Sequence, residues 1–337
     1  MTALEEIAKL AKVSRSTVSR VINDDPKVSP ETRARVQSVV KRLNYHPNIA
    51  ARGLAAGRTG ILGLVIPMGV AAVFTDPFHP IVTQGVAWAC NAHSYSVMLW
   101  LAEPDYERRT ISQILHNGVI DGVILASMLL EDPLLHSLKE SRLPFILIGR
   151  HPTDAHVNYV DVDNISSARE MVSYLFRLGH RSVATIAGPR NMIAGADRLE
   201  GYFAALRDRG IAPDSNLIVS GDFTEDSGYT AMQQLLPFKP DAVFAASDTM
   251  AIGAMHAIRD AGLCVPEDIA MAGFDDVPAA ARTVPPLTTI RQPVYRSGVI
   301  AAETLIDLIA NPSSQTHRII LPTELVIRAS TGPASKG

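Results

Sequence analysis

The period of the apolar positions changes at about residue 60. Before it, apolar residues recur every three or four positions; after it, short unbroken apolar runs alternate with longer periodic stretches. In "LEEIAKLA", Leu4, Ile7, Ala8 and Ala11 fall at i, i+3, i+4 and i+7, the stripe of an amphipathic helix. Thr2 followed by Glu5 offers a capping box at its start. "AKV" breaks the pattern. Ser14 then caps a second helix over 15–22, with Val18, Val21 and Ile22 as its inner face. Ser29 caps a third, with Pro30 at its first position and Val36, Val39, Val40 and Leu43 as its stripe. Three short helices with a tight turn between the first two predict a helix-turn-helix unit. Pro47 stops the third helix. Asn48 caps a short fourth segment with Ala50, Ala51 and Leu54 on one face, too short to be stable alone.

From residue 61 the runs "ILGLVI" (61–66), "SVMLW" (96–100), "GVILA" (122–126), "FILIG" (145–149), "VATIAG" (183–188), "AVFAA" (242–246) and "IAMAGF" (269–274) read as strands buried on both faces. Helical stretches such as "SSAREMVSYLFRLGH" and "TMAIGAMHAIRDAG" separate them. That alternation predicts parallel sheets, and the strands are too many for one modest sheet, so two α/β lobes are expected. Ligands of such sheets sit beyond the carboxyl ends of the strands. Short polar sequences come after several of those ends: "TDPFH", "GRH", "GPRN", "SDTM" and "DDVP".

Charge separates the two regions further. Residues 1–58 carry eleven Lys/Arg and five Asp/Glu, a balance of +6; the whole chain stands at −3, so the remainder carries −9. A basic head on an acidic body suits a polyanion at one end. "VSRSTVSRVIN", 13–23, holds no carboxylate. In helix-turn-helix geometry the second helix enters the major groove of duplex DNA N-terminus first. Arg15, Ser16 and Ser19 are then placed for base edges, with Arg20 one turn on, and Thr17 suits phosphate.

The composition, 47% hydrophobic and 19% charged, fits a globular protein with sizeable cores. No apolar run reaches the length that spans a bilayer, and the amphipathic N-terminus with its two glutamates does not read as a secretory signal, so the expected compartment is the cytoplasm, without membrane contact. Cys90 and Cys264 stand in no metal or redox spacing and read as buried reduced thiols. A nucleophile elbow, a Walker loop, a zinc-protease motif and a Cys-x-x-Cys pair are all absent. "DVDN" at 161–164 hints at calcium ligands, but the residues after it lack the glycine and terminal glutamate of such a loop. The expectation is a chain without metal, cofactor or catalysis.

Several of these stretches together resemble one family. "IAKLAKVSRSTVSRVIN", "VSPETRARV" and "LNYHPNIAARGL" in the head, and "DGVIL", "VDVDN", "LGHRSVATIAGP", "DRLEGY", "VFAASDTMAIGAM", "VPEDIAMAGFDD" and "PPLTTIRQP" in the body, are similar to the lactose-repressor/galactose-repressor (LacI/GalR) family of bacterial transcription factors. The resemblance runs over nearly the whole chain. "ATIAGPRNMIAGADRLEGY" and "GDFTEDSG" resemble the branch answering cellobiose and related oligosaccharides.

The resemblance implies a small all-α helix-turn-helix head at 1–46 and a hinge helix at 47–58. It further implies a periplasmic-binding-protein-like core of two doubly wound lobes, 60–160 with 292–320 and 161–290 with 321–331, crossed three times by the chain. It implies a homodimer on a near-palindromic operator. Arg15 and Ser16 fall at the specificity positions, and Ser14, Thr17, Ser19, Arg20 and Asn23 at surrounding DNA contacts. Asn48, Ala51 and Leu54 fall in the hinge, Leu54 as the minor-groove wedge. For a small effector, expected to be a carbohydrate, the matching positions are Phe78, His79, Arg198, Phe223, Ser247, Asp275 and Gln292. Gly149 stands where monosaccharide binders carry an acid, which leaves room for a disaccharide, with Arg150 beside it as compensation. Lys12 occupies a turn where glycine is usual, so local strain is expected. A nucleobase-like corepressor on the same architecture is the alternative. A sugar-binding or sugar-modifying protein is the rival of another class: the first needs an export signal, the second a paired acid and base in the cleft.

Overall fold

The computed structural model describes residues 3–22, 25–45, 58–67, 69–101, 115–116, 118–126, 129–130, 133–141, 143–151, 154, 156–312 and 315–334. The chain divides into a small helical unit, chiefly residues 1–60, and a large α/β unit from residue 61 onward. Among the described residues no helix is long and apolar enough to cross a membrane.

The small unit holds α1 (Ala3–Ala11), α2 (Arg15–Ile22) and α3 (Pro30–Arg42). Ile7, Ala8 and Ala11 pack on Val18, Val21, Val36 and Val39, all buried. Val40 and Ile22 are only partly covered, and Leu43, expected in the stripe, is an exposed C-cap residue, because α3 ends at Arg42. The Ser29 hydroxyl accepts from the Thr32 N–H at 3.4 Å, and Pro30 opens the helix. Thr2 of the expected capping box lies outside the described residues.

The α1–α2 turn is a Schellman closure. The Val13 N–H reaches back to the Ala8 carbonyl at 3.0 Å, which requires Lys12 at φ +54°. A Cβ is disfavoured there, so the expected strain is present. Lys12→Gly is expected to stabilise the small unit by about 0.5–1 kcal/mol, the left-handed penalty less the extra unfolded-state entropy of glycine. Hydrogen exchange of the Val18 and Val36 amides should slow about two- to fivefold; unchanged or faster exchange contradicts the reading.

Among the described residues the large unit contains two six-stranded sheets. The first runs β11-β5-β4-β3-β1-β2, all parallel: β1 (Ile61–Val65), β2 (Ser96–Trp100), β3 (Gly122–Ala126), β4 (Phe145–Ile148), β5 (Tyr159–Val162) and β11 (Arg318–Leu321). The second runs β12-β10-β9-β8-β6-β7, with only β12 antiparallel: β6 (Val183–Ala187), β7 (Ile218–Ser220), β8 (Ala242–Ala245), β9 (Ala270–Asp275), β10 (Thr288–Arg291) and β12 (Glu324–Val326). Central strands are buried along their length because helices cover the sheet faces.

Around the first sheet lie α4 (Val70–Thr75), α5 (Phe78–Ala92), α6 (Pro133–Ser141) and α11 (Val294–Ala310). Val82, Val86 and Ala89 of α5 join Ala301, Ala302 and Leu305 of α11 in its core. The second sheet is covered by α7 (Asn164–Arg177) and α8 (Ile193–Arg207) on one core, and by α9 (Glu225–Leu235) and α10 (Asp248–Asp260) on another. The chain passes between the sheets three times: after β5, after β10 and between β11 and β12. Cys90 is buried, as expected, but Cys264 is exposed: it comes just after the left-handed turn at Gly262 that ends α10.

Candidate functional site

The carboxyl ends of β4, β5, β6 and β9 face one cleft. A cavity of about 750 Å³, open solvent at its mouth included, lies there between the lobes. Asp76, Phe78, His79, Gly149 and Asp161 line it from the first lobe, and Ile193, Arg198, Phe223 and Asp275 from the second; Gln292 lines it from a crossover.

Arg198 is its polar centre. It sits on α8 and is only 5% exposed. Its Nε donates to the Asn164 Oδ1 at 2.9 Å, its Nη1 to the Ala246 carbonyl at 2.6 Å, and Nη1 lies 3.2 Å from the Asp275 Oδ1. The guanidinium stacks on the Phe274 ring at 3.7 Å. This fixes a charged fork whose Nη2 has no hydrogen bond among the described residues, a suitable donor for ligand oxygens.

Asp275 is the last residue of β9 and is buried. Besides Arg198, it accepts from the Gln292 Nε2 at 2.6 Å. Its φ is +119°, and Asp276 follows at +56°, two left-handed non-glycine residues in succession. Such strain is kept where surrounding contacts impose it; here Arg291 Nε holds the Asp276 carboxylate at 2.6 Å. Burial pushes the Asp275 carboxyl up to about 7; Arg198 opposes that shift and Asp76 adds to it. Burial also raises Asp161, to about 6.

His79 is buried near the start of α5 and its Nδ1 has no hydrogen-bond partner among the described residues. Burial lowers its pKa against the pull of Asp76, whose carboxylate lies 3.9 Å away, so the ring is neutral at neutral pH. Phe78 meets it edge-on at 5.4 Å between ring centres. Phe223 is the apolar wall of the second lobe, at φ +71°. Gly188 makes room for it: a Cβ there would collide with the Phe223 ring.

The small unit presents a different surface. The Ser14 hydroxyl caps α2, accepting from the Thr17 N–H at 3.1 Å, and lies 2.7 Å from the Ser16 and 2.8 Å from the Thr17 hydroxyl oxygen. Arg15, Ser16 and Arg20 are exposed, while Thr17 and Ser19 are half-buried. Arg20 stands 3.9 Å from the Asp25 carboxylate. No acidic residue lies in the first turn of α2. Two arginines, four hydroxyls and the N-terminal end of a helix therefore share one surface, an arrangement that suits phosphates and base edges.

Comparison with known proteins agrees with both halves of this geometry. Residues 3–48 match the bacterial regulatory proteins of the lacI family, and residues 172–331 a periplasmic binding protein-like domain. The HTH-type transcriptional regulator CelR of Thermobifida fusca is 40% identical over 331 residues, 97% of each chain. The chain belongs to the LacI family. Among solved structures, this LacI-family chain is similar to the transcriptional regulator CelR–cellobiose complex (38% identity, TM-score 0.79, 98% of this chain and 100% of that one). It is also similar to the lac repressor dimer bound to operator and the anti-inducer ONPF (28% identity, TM-score 0.86, 98% and 99%).

Within this LacI-family fold, Phe78, His79, Arg198, Phe223, Asp275 and Gln292 come together around the cavity. Two expected effector residues do not. Ser247 caps α10, its hydroxyl accepting from the Met250 N–H at 3.2 Å, and is not part of the lining. Arg150 is likewise outside the lining; its guanidinium is taken by Asp197. Asn23, Asn48, Ala51 and Leu54 lie outside the described residues.

Sequence reasoning missed Asp76, Asp161 and Asn164 as lining residues. Each has the signature of a local turn or cap. Asp76 accepts from the Phe78 N–H at 2.9 Å, and Asp161 from the Arg150 and Val162 N–H groups at 2.9 and 2.8 Å. In "DVDN", then, Asp161 and Asp163 serve backbone amides, Asp163 capping α7 through the Ser166 N–H.

Proposed function

We propose that this chain is a transcriptional repressor whose grip on a near-palindromic operator is switched by a disaccharide of the cellobiose type bound between the lobes. One observation carries the reading. The cleft sets an uncommitted guanidinium edge, a buried carboxylate and an unpartnered imidazole nitrogen beside two aromatic rings. Hydroxyl pairs of a sugar satisfy the first three, and the apolar faces of its rings stack on the last. Likeness to a regulator solved with cellobiose supports the same ligand.

In this reading residues 1–46 read the DNA as one half of a homodimer, and residues 47–58 link them to the core. The core is 60–160 with 292–320 and 161–290 with 321–331. Asn23, Asn48, Ala51 and Leu54 add contacts to those of α2. The chain works in the cytoplasm, performs no turnover and needs no cofactor or metal. Ligand alters the angle between the lobes and so the spacing of the two heads. By linkage, operator weakens ligand binding by the factor with which ligand weakens operator binding.

The test is a titration. A duplex selected from a random pool by the full chain is bound with and without cellobiose. Its affinity is expected to fall about 5–150-fold on saturation with sugar. An affinity untouched by cellobiose and by other disaccharides refutes the proposal. On the DNA side, Arg15→Ala is expected to cost about 1–3 kcal/mol at one base pair per half-site and to relax preference there. Competition between duplexes differing at each position reads this; a uniform loss at all positions would make Arg15 a phosphate contact instead.

A further inference from the structure

The arginine that sequence reasoning put in the ligand site does something else. Arg150 lies just after β4 of the first lobe; Asp197 lies on α8 of the second. Arg150 donates from Nε to the Asp197 Oδ2 at 2.9 Å and from Nη2 to the Oδ1 at 2.6 Å, a two-pronged bridge across the cleft. Its backbone N–H is held by Asp161, so the base of the arm is fixed as well. The Asp197 side chain is 9% exposed and that of Arg150 29%, so the pair is shielded from solvent more than a surface pair. The two lobes also touch through backbone. The Leu130 N–H donates to the Asn191 carbonyl at 2.8 Å, and Leu129 bridges Met192.

We infer that Arg150 and Asp197 are a positioning pair: a latch that sets how far the lobes close and thereby places Arg198 for the effector. Two observations converge on this. Asp197 immediately precedes Arg198 on α8, so holding one holds the other. Gly149 carries φ +106° and directs Arg150 away from the cavity, toward α8. Elsewhere along the cleft Asp76 of the first lobe and Asp222, Glu225 and Asp226 of the second line one opening, with no arginine or lysine among its lining residues. The latch joins the lobes with the geometry in which an arginine–carboxylate pair is strongest. A bias toward the closed arrangement raises affinity for any ligand that needs both lobes.

The inference rests on the effector reading above, and the experiment separates the two. Full-length wild type, Arg150→Gln, Asp197→Asn and the double variant are compared by calorimetry with cellobiose. They are also compared by the separation of spin labels on Glu140→Cys and Ala212→Cys, with Cys264→Ser removing the native exposed thiol. Each single variant should bind cellobiose about tenfold more weakly and show a longer label separation. The double variant should lose no more than a single one, because the second change removes a partner already without function. Losses that add, or label separations equal to wild type in both single variants, overturn the latch. If wild type takes up no sugar at all, the sugar reading falls, and the label separations alone decide for or against the latch.

Discussion

Arg198→Ala is expected to abolish the response to effector while operator binding without effector persists. The reason is the number of groups this one side chain organises. It spans Asn164, the Ala246 carbonyl and Asp275, and it covers the Phe274 ring. Truncation removes the ligand's donor and leaves Asp275 buried without its counter-charge. Breaking a buried pair in this way costs about 3–5 kcal/mol, part of it recovered as the carboxyl takes up a proton. Effector affinity should fall at least about a hundredfold, and the thermal midpoint should drop. A second variant keeps the result interpretable. Arg198→Leu with Asp275→Asn removes both charges, so it should regain much of the lost stability but none of the binding. Calorimetry with cellobiose and thermal melts read the two separately. Effector binding that survives in either variant would place the ligand elsewhere.

The second large effect concerns pH. Asp275 binds its proton more tightly folded than unfolded, since burial lifts it to about 7. Its contribution to stability is therefore complete below the unfolded value near 4 and is lost as pH rises toward 7. Asp161, raised to about 6, acts in the same direction. Asp248, raised by burial and by Asp275, also acts in that direction. Asp222, held low by Thr224 and Ser227 against its burial, and His79, lowered by burial, contribute in the opposite sense, Asp222 only below the usual carboxylate range and His79 as pH falls below about 6.5. The core should then be more stable near pH 6 than at pH 8, losing on the order of 1–4 kcal/mol across that span. Effector binding should run the other way, because only the ionised Asp275 accepts from two ligand hydroxyls. Asp275→Asn should reduce the stability slope between pH 5 and pH 8, the remainder coming from Asp161 and Asp248. Melts at both values check this; a wild-type core more stable at pH 8 than at pH 5 would show Asp275 already ionised throughout.

Much of this architecture is visible in the residue pattern, for a definable reason. The strands "GVILA", "VATIA" and "AVFA" are apolar throughout because helices cover both faces of their sheets. β5 and β10 carry buried polar residues instead. Asp161 interrupts one, and Thr288 and Thr289 open the other, so neither shows as an apolar run. Their hydroxyl and carboxylate partners come from distant segments: Thr289 donates to Asp248 and Thr288 pairs with Thr331. β7 and β12 are only three residues long, and β11, at a sheet edge, is partly exposed. The site divides the same way. Arg198, Asp275 and Phe223 were legible from motifs, whereas Asp76 and Asn164 look like caps until the lobes bring them to one cavity. Arg150 was misplaced because its partner stands 47 residues further on.

The threefold passage of the chain between its sheets has a consequence for biosynthesis. β11 completes the first sheet and α11 covers part of it, yet both are made after nearly all of the second lobe. At roughly 5–20 residues per second, a ribosome adds α11 about 7–30 seconds after β5 has been translated. During that interval the nascent first lobe exposes Val82, Val86 and Ala89 with nothing from α11 to cover them. The half made first must wait for the half made last, which makes this stage of translation the point of greatest demand on chaperones.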